Sequence, residues 1–546
     1  MRRLEDLRLL VGEGRYLDDV QLPDLLHAAF VRSPHAHARV SGVDASAALE
    51  VPGVVGALLG RDLTGRVEAL SPRLDADGFA ATAWPALAGS RVRFAGEPVA
   101  LVAGETAYAA VDGGERVVVR YEPLDALADV DAALVPGALV LHDAIPGNVL
   151  FRRAHRQGDV DGAFRRAAVR IQERFDHGRC SAAPLEPRGL VARWDAGHLT
   201  VWTGTQIPFV YRTALARAFG LPEGSVRVIV PDTGGGFGQK MHVMPEDVAV
   251  AALARVLARP VKWTETRREN LAAASHAREA RINLEAAADA DGVLLGLRAR
   301  VVSDAGAYHI FPLTQALEPL GTAAILPGPY RTPAYAYECL AVATNKPPLG
   351  AYRGVGMAFA VLAMERALDL LADRLKMDPA EIRRRNLIPR DAYPFASAGG
   401  FVYDSGDLLT ALDQALELAG YEKLKEEREQ ARERGRLLGV GIACFTDYTG
   451  MGSDTYRRRG MVEVPGPEAA RVRMEPDASV SCFVSFPSQG QGHGTTIAQL
   501  VAGQLGVSPD RVRVLAVDTA TAPPGTGTFA SRGAITQAGT VQRAAA

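Results

Sequence analysis

Residues 203–240 read TGTQIPFVYRTALARAFGLPEGSVRVIVPDTGGGFGQK and decide the fold of this chain. Their apolar runs predict a strand, a helix and a second strand, followed by a glycine-rich hook over residues 234–238. The four glycines of the hook tolerate positive φ, so it can bring backbone N–H groups against a ligand. A tight turn that binds nothing is the alternative. A phosphate-binding P-loop is excluded, because Met241 stands where that motif carries Ser or Thr.

The composition of the 546-residue chain is that of an ordinary globular protein, with 48% hydrophobic and 23% charged residues. A chain of this length exceeds what one core supports, so we expect at least two domains. Its net charge of −2 gives no excess of basic residues, which argues against nucleic acid as a partner. No apolar run approaches the length of a membrane span and no signal peptide is evident, so we expect a cytoplasmic protein without a membrane partner.

The cysteines of this chain are scattered and form no C-x-x-C pair. They are Cys180, Cys339, Cys444 and Cys482. Their spacing matches neither an iron–sulfur cluster nor a zinc ribbon. We therefore expect no Fe–S cluster on this chain and no metal ion held by protein ligands, and isolated thiols fit a reducing compartment.

The strand and helix patterns divide the chain into three regions and predict an α+β (mixed α/β) fold. Residues 1–130 alternate short strands and helices, and residues 140–395 alternate longer ones. Residues 404–546 begin with one charged amphipathic helix over 409–436, whose charges indicate a solvated face. Four strands are predicted to follow, at 438–445, 460–464, 470–476 and 480–486, and then a turn and a helix over 490–506.

Further motifs accompany the hook in a fixed order. Before it come RLEDLRLLVGEGRYLDDV (3–20), LHAAFVRSPHAHARV (26–40), RFAGEPVALVAG (93–104) and AAPLEPR (182–188). After it come ARPVKWTETRREN (258–270), SDAGAY (303–308), GAYRGVGMAFA (350–360), MDPAEIRRRNLIP (377–389) and GQGHGTT (490–496). Together they resemble the molybdopterin-binding subunit of the xanthine oxidase family, which includes xanthine dehydrogenase, aldehyde oxidase and the carbon monoxide dehydrogenase large chain. The resemblance covers nearly the whole chain.

This resemblance implies a domain order and a cofactor. Residues 1–130 would form an a/b hammerhead domain and residues 140–395 a first molybdopterin-binding domain. Residues 404–546 would form a second such domain, incomplete at its C-terminus. The implied cofactor is molybdenum–molybdopterin, for which the cytosine dinucleotide form is one open alternative. Neither Fe–S nor FAD would bind this chain, so electrons would leave through a 2Fe–2S subunit and an FAD subunit.

The resemblance also implies site residues in the first cofactor domain. Gln206 matches the family glutamine that hydrogen-bonds a molybdenum oxygen, and its NH2 can donate without introducing charge. Phe237 matches a position whose backbone approaches the metal, and Arg353 matches the arginine beside the metal pocket. The implied cofactor-binding residues here are Gln206, Gly235, Gly236, Phe237, Gly238 and Arg353, with Gln206 and Arg353 assigned to catalysis. The alternatives are a turn-capping glutamine, a core phenylalanine and a surface arginine.

In the second cofactor domain, the resemblance assigns two segments to cofactor binding. Gln491 matches a segment in which successive N–H groups and an amide hold the pterin, and Gly490 and Gly492 flank it. Ser531 resembles a serine that contacts phosphate and pterin. His493, at a helix start, could be an acid or base, but a capping role is more common there.

Three positions depart from related enzymes and bear on the substrate. Gly354 stands where the carbon monoxide dehydrogenases carry a copper-binding cysteine, so we expect no oxidation of carbon monoxide. Val355 and Met241 stand where the purine enzymes carry a ring-stacking aromatic residue and a substrate-binding glutamate. The resemblance therefore implies a hydroxylase that oxidises an aldehyde or N-heteroaromatic carbon with water, and it argues against xanthine.

The catalytic base of the resembled family is a glutamate in a Gly-Glu-Gly-like segment, which we expect beyond residue 546. That segment would be missing from this sequence or would lie on a separate chain, and we expect chain 1–546 alone to be inactive. Residues 12–14 and 96–98 look similar but belong to the N-terminal region. Glu186 is the first substitute base to test. The alternative function is a non-catalytic cofactor-binding or assembly relative.

Overall fold

The computed structural model describes residues 2–546 and has the mixed α/β (α+β) architecture that the sequence predicts. Its N-terminal region alternates short strands and helices where the apolar runs indicate them. The elements of this region are α1 (Leu4–Leu10), β1 (Leu26–Arg32), β2 (Ala38–Asp44), α2 (Ser46–Leu49), β3 (Val54–Leu59), α3 (Gly60–Leu63), β4 (Arg91–Val92), β5 (Pro98–Gly104), α4 (Ala107–Glu115), β6 (Val118–Pro123) and α5 (Val130–Leu134).

The middle region contains the longest elements. They are β7 (Val149–Gln157), α6 (Val160–Arg166), β8 (Val169–His177), β9 (Gly189–Asp195), β10 (His198–Thr203), α7 (Pro208–Phe219), β11 (Val226–Ile229), α8 (Pro245–Leu257), β12 (Val261–Thr264), α9 (Arg267–Ala272), β13 (Ala280–Ala288), β14 (Leu294–Gly306), α10 (Leu317–Ile325), β15 (Tyr335–Ala343), α11 (Met357–Leu375), α12 (Pro379–Asn386), β16 (Phe395–Ala396) and β17 (Val402–Tyr403). The strand, helix and strand expected over 203–240 are β10, α7 and β11. Pro208 begins α7, and Gly220 ends it in a left-handed conformation.

The C-terminal region carries a smaller sheet and the remaining helices. They are α13 (Leu408–Ala419), α14 (Tyr421–Glu433), α15 (Ser453–Arg458), β18 (Ala470–Met474), β19 (Val480–Val484), α16 (His493–Leu505), β20 (Val512–Val514) and α17 (Ala538–Ala545). A π-helical turn, Gly533–Gln537, leads directly into α17.

A seven-stranded sheet joins the N-terminal and middle regions. Its strand order is β11-β10-β9-β12-β1-β5-β3. Strands β1, β3 and β5 come from residues 1–130, whereas the other four come from the region predicted to begin at 140. The junction is a parallel pairing of β1 with β12, in which Leu26 lies opposite Val261. Because the ladder crosses the predicted boundary, the two regions share one hydrophobic core.

A five-stranded sheet, in the order β7-β15-β14-β13-β8, forms the second core of the middle region. Helices α10 and α11 pack against it, and Ile282, Val301 and Leu368 are fully buried between the layers. The longest helix of the described chain is α11, with 19 residues. Among residues 2–546, no helix is both long enough and apolar enough to span a membrane.

The three-stranded sheet of the C-terminal region, β18-β19-β20, packs against the segment that contains the hook. Phe209 of α7 and Val230 after β11 lie in the same buried cluster as Val480, Cys482 and Val484 of β19. This shared core places the loops of the C-terminal region beside the hook. Thr528, for example, accepts a hydrogen bond from Gln206, 322 residues away in sequence.

Two expectations for the C-terminal region are wrong. The charged helix predicted over 409–436 is two helices, α13 and α14, because Gly420 adopts a left-handed φ of 64° and interrupts the hydrogen-bond series. Residues 438–445 and 460–464, which the apolar runs predicted to be strands, form no strand in the structure. No neighbouring strand pairs with them, and in the second segment Glu463 forms ion pairs with Arg73 and Arg217 instead.

Candidate functional site

The hook is a tight turn held open by left-handed residues. Gly235, Phe237 and Gly238 have φ of 94°, 55° and 101°. Gly234 and Gly236 do not use the positive φ that all four glycines tolerate, and a lack of space explains why both are glycine. A Cβ on Gly234 would lie 2.6 Å from the Cβ of Glu186, and one on Gly236 would lie 2.7 Å from the side-chain oxygen of Gln206.

Gln206 connects the hook to the C-terminal region. The residue is 3% exposed, its Oε1 accepts a hydrogen bond from the Gly238 N–H at 2.9 Å, and its Nε2 donates to the Thr528 carbonyl at 2.8 Å. The Thr528 N–H in turn donates to the Gln206 carbonyl at 2.9 Å. The amide is therefore fixed in orientation, with one of the two hydrogens of its NH2 used for Thr528.

A buried ion pair supports the hook from behind. Lys240 Nζ lies 2.7 Å from Glu186 Oε2, and the same oxygen accepts the Gly234 N–H at 2.8 Å. The Lys240 side chain is 3% exposed, and burial lowers its pKa while Glu186 opposes that shift. Because its carboxylate holds both the lysine and the hook, Glu186 is a structural anchor rather than the free base that the sequence suggested testing.

The loop carrying Arg353 touches the hook through its backbone. The Arg353 N–H donates to the Phe237 carbonyl at 2.9 Å, whereas the Arg353 side chain is exposed. Arg278 donates to the Arg353 carbonyl and lies over the ring of Tyr352, 4.6 Å from its centre. His242 accepts the Ala351 N–H at 2.9 Å, and burial lowers its pKa to about 3, which keeps this acceptor neutral.

The three positions expected to exclude other substrates lie at different depths. Met241 is buried in the core of the seven-stranded sheet and presents no polar group to a ligand. Gly354 has a φ of 90°, which L-residues rarely adopt, and Val355 follows it at 47°. A cysteine at position 354 would therefore need a different backbone conformation.

The segment 487–493 lies beside Thr528. Thr528 Oγ1 donates to the Pro487 carbonyl at 2.7 Å. Gly490 and Gly492 adopt positive φ, and the exposed Gln491 turns its amide back onto Gln489 at 2.8 Å. His493 is the first residue of α16. Burial lowers its pKa, which favours the neutral imidazole at the start of the helix.

Ser531 lies in a second strained turn. Ala530 and Ser531 have φ of 50° and 49°, although neither is glycine, and each such residue costs about 1–2 kcal/mol. The fully buried Arg532, paired with Glu468 at 2.9 Å, holds this turn in place. Sequence reasoning missed Arg532, Lys240 and Thr528, although all three lie inside or directly beside the motifs that it singled out.

These turns suit a phosphorylated organic cofactor. Within residues 2–546, the N–H groups of Gly236, Phe237, Ala530 and Ser531 donate no hydrogen bond to protein. Successive N–H groups of left-handed turns form concave anion-binding sites. No group of three His, Cys, Asp or Glu side chains that could hold a metal ion occurs in the described chain. The free N–H donors thus fit an anionic cofactor.

Three family models match the chain along most of its length. The aldehyde oxidase and xanthine dehydrogenase a/b hammerhead domain matches residues 11–125, and molybdopterin cofactor-binding domains match residues 141–387 and 414–546. The large subunit of nicotine 6-hydroxylase from Paenarthrobacter nicotinovorans is 40% identical over all of this chain and 66% of its own length. The carbon monoxide dehydrogenase large chain of Afipia carboxidovorans is 37% identical over 97% of this chain and 68% of its own length.

Solved structures agree with these relatives. Quinoline 2-oxidoreductase from Pseudomonas putida 86 superimposes with a TM-score of 0.96 and 39% identity, over 100% of this chain and 69% of that chain. The chain thus spans about two thirds of the length of its relatives. It belongs to the xanthine dehydrogenase, aldehyde oxidase and carbon monoxide dehydrogenase family of molybdenum-containing oxidoreductases, as a molybdopterin-binding large subunit. The family and fold class expected from the motifs are confirmed; the site assignments stay predictions.

Proposed function

We propose that this chain forms the cofactor-binding part of a hydroxylase that oxidises a carbon of an N-heteroaromatic ring. In that reaction a C–H bond is replaced by C–OH with oxygen from water, and two electrons and two protons leave. Molybdenum–molybdopterin, when bound, supplies this oxidation chemistry. The chain's own residues bind the cofactor, orient it and exclude water.

The observation that carries this proposal is the fixed amide of Gln206. It forms hydrogen bonds with both the hook and Thr528, so one side chain links the two regions that we assign to cofactor binding. An amide held by two hydrogen bonds is preorganised, and a preorganised donor needs no rearrangement when charge develops beside it. The second hydrogen of its NH2 can then meet an oxygen of the cofactor without bringing a charge into a buried site.

The cofactor would be held by backbone N–H groups from both sides. We assign the pterin and its phosphate to the hook residues Gly235, Gly236, Phe237 and Gly238 and, from the C-terminal region, to Gly490, Gln491, Gly492 and Ser531. Arg353 would lie at the rim, since its side chain is exposed and its backbone is fixed to Phe237. Whether the pterin carries a cytosine dinucleotide stays open. The catalytic glutamate also stays a prediction, for a position beyond residue 546.

An N-heteroaromatic substrate is favoured over an aldehyde by the named relatives. A nicotine 6-hydroxylase and a quinoline 2-oxidoreductase are 40% and 39% identical to this chain, and both names denote a ring that contains nitrogen. Gly354 supports the exclusion of carbon monoxide, because its φ of 90° disfavours a cysteine there. The apolar Met241 and Val355 support the exclusion of xanthine.

We further propose that electrons pass to a 2Fe–2S subunit and an FAD subunit. Several relatives bear names of single subunits, such as a large subunit, a large chain and a subunit gamma. Burial raises the pKa of Cys339 to about 12 and that of Cys482 to about 11. These two thiols are therefore protonated at neutral pH and do not act as free thiolates.

The test is to isolate the native assembly that contains this chain and to measure its molybdenum and pterin. Quinoline and nicotine are then offered in isotopically labelled water with an artificial electron acceptor. We expect stoichiometric molybdenum and label in the hydroxylated ring. An assembly without molybdenum would contradict the proposal, provided that the host can make the cofactor. Molybdenum without turnover would favour the alternative, a non-catalytic cofactor-binding or assembly relative.

A further inference from the structure

The N-terminal motif RLEDLRLLVGEGRYL, residues 3–17, has no part in the function proposed above, yet it lies against both cofactor-binding regions. Its helix α1 buries no residue, and Leu7 and Leu10 are 72% and 84% exposed. A helix of seven residues is not stable by itself. The buried Leu17, 3% exposed, anchors one end of the segment, and polar contacts hold the rest of it in place.

One end of the segment caps α16, the helix that follows the predicted pterin-binding loop. The N-cap of α16 is Gly492, which has no side chain with which to cap it. Glu5 supplies that cap from elsewhere in the chain, because its carboxylate accepts the Thr495 N–H at 3.1 Å and also the Thr495 hydroxyl. A Cβ on Gly494 would lie 2.7 Å from the Glu5 carboxylate, so glycine there admits this contact. In addition, Arg3 donates to the Gly490 carbonyl at 3.1 Å.

The other end fixes the entry into the hook. Arg8 donates two hydrogen bonds to Asp232, at 2.6 and 2.8 Å. The N–H of Arg15 also donates to Asp232 at 2.8 Å, and the Asp232 N–H donates back to Arg15 at 2.9 Å. Two residues further on, the Leu17 N–H donates at 3.3 Å to Glu186, the carboxylate that holds the hook. A bidentate arginine pair of this kind fixes geometry as well as charge.

We propose that residues 3–17 are a strap that positions the two cofactor-binding loops relative to each other. Glu5 and Arg8 are its positioning residues. The strap ties segment 490–495 to the hook entry at Asp232. Neither the Glu5–Thr495 nor the Arg8–Asp232 contact uses a residue assigned to the cofactor itself. The role in cofactor retention rests on the proposed function, whereas the coupling of the two loops does not. Because α1 is too short to persist when tied at one end, release of either end should loosen both loops.

The test is hydrogen exchange in the native assembly, followed over peptides that span 233–238 and 490–496. The variants are Glu5→Ala, Arg8→Ala and Thr495→Val, with molybdenum release during dialysis as a second measurement. We expect each variant to raise the exchange rate about tenfold in both segments, because a hydrogen bond to a charged group contributes at least about 1.5 kcal/mol. Molybdenum release should accelerate in parallel. Glu5→Ala and Thr495→Val should add only in part when combined. They share the contact between the Thr495 hydroxyl and Glu5, whereas Thr495→Val also removes the acceptor of the Leu4 N–H, at 2.8 Å.

The matched control is Arg174→Ala on β8, which removes an arginine–aspartate pair of similar length, 2.7 Å, at a distant surface. It should change neither segment. Glu5→Gln keeps a hydrogen-bond acceptor and Arg8→Lys keeps a positive charge, so both should exchange more slowly than the alanine variants. They replace an alanine variant if that variant fails to fold. Exchange that rises only in the segment next to each substitution, or in neither, overturns the strap. A wild-type assembly without molybdenum overturns the proposed function, while the exchange result still decides the strap.

Discussion

Replacing Gln206 by glutamate separates the two hydrogen bonds that this residue makes. In the wild type the amide oxygen lies 2.9 Å from the Gly238 nitrogen, and the amide nitrogen lies 2.8 Å from the Thr528 carbonyl oxygen. An ionised carboxylate would still accept the Gly238 N–H, but it could not donate to the Thr528 carbonyl. A protonated carboxyl group could do both. The variant should therefore behave like the wild type when protonated and should lose the link to the C-terminal region when ionised.

The size of this effect follows from other buried carboxyl groups of the chain. Burial raises the pKa of Glu97 and of Glu318 from 4.5 to about 7. Position 206 is 3% exposed and faces a carbonyl oxygen, so a carboxyl group there should titrate near the same pH. A raised pKa means that the native state keeps its proton longer than the unfolded state, and stability falls as the pH rises towards that pKa. If the pKa rises from 4.5 to about 7, the free energy of unfolding of the variant is about 3 kcal/mol lower above pH 7 than at low pH.

The assay is hydrogen exchange at the Gly238 amide, corrected for intrinsic rate, together with turnover from about pH 5.5 to about 8.5. Gln206→Ala loses both bonds at every pH, and its turnover should fall by about 10²–10³, as on loss of an oxyanion-hole donor. Asn386→Asp is the matched control, since its buried amide likewise accepts one N–H, from Leu294 at 2.8 Å, and donates to a carbonyl, that of Gly292 at 2.8 Å, beside the five-stranded sheet. The reasoning is refuted if Gln206→Glu equals the wild type at high pH, or equals Gln206→Ala at low pH.

Three further substitutions have expected outcomes. Lys240→Met leaves the partly buried carboxylate of Glu186 without its cation and should lower the free energy of unfolding by about 1–3 kcal/mol, measured by chemical denaturation of the native assembly. Gly236→Ala places a Cβ 2.7 Å from the glutamine amide and should raise exchange across the hook, whereas Gly224→Ala, which meets nothing within 4 Å, should not; equal effects would contradict this. The raised pKa of Glu97 makes stability fall as the pH rises from about 4.5 to 7, and Glu97→Gln should remove this fall. A pH profile of stability that does not change would show that Glu97 titrates normally.

The local sequence pattern was enough to predict β10, α7, β11 and the hook. Apolar periodicity and glycine spacing act over a few residues, and the structure uses both where the pattern indicates them. The ordered motifs also predicted the family, which the comparisons confirm. The same local reasoning was wrong over 438–445 and 460–464, because an apolar run becomes a strand only where another strand is available to pair with it.

Tertiary structure alone decided how the motifs meet. Gln206 and Thr528 are 322 residues apart, and Glu5 and Thr495 are 490 apart. Hydrophobic periodicity does not predict such a pair, because each partner lies in an ordinary local sequence and the two meet only when separate cores pack together. The sequence by itself therefore determined the family and the local elements, and it predicted which segments would form a cofactor site. The packing of the sheets placed Lys240 and Glu186 behind the hook and brought residues 3–17 into contact with both Asp232 and Thr495.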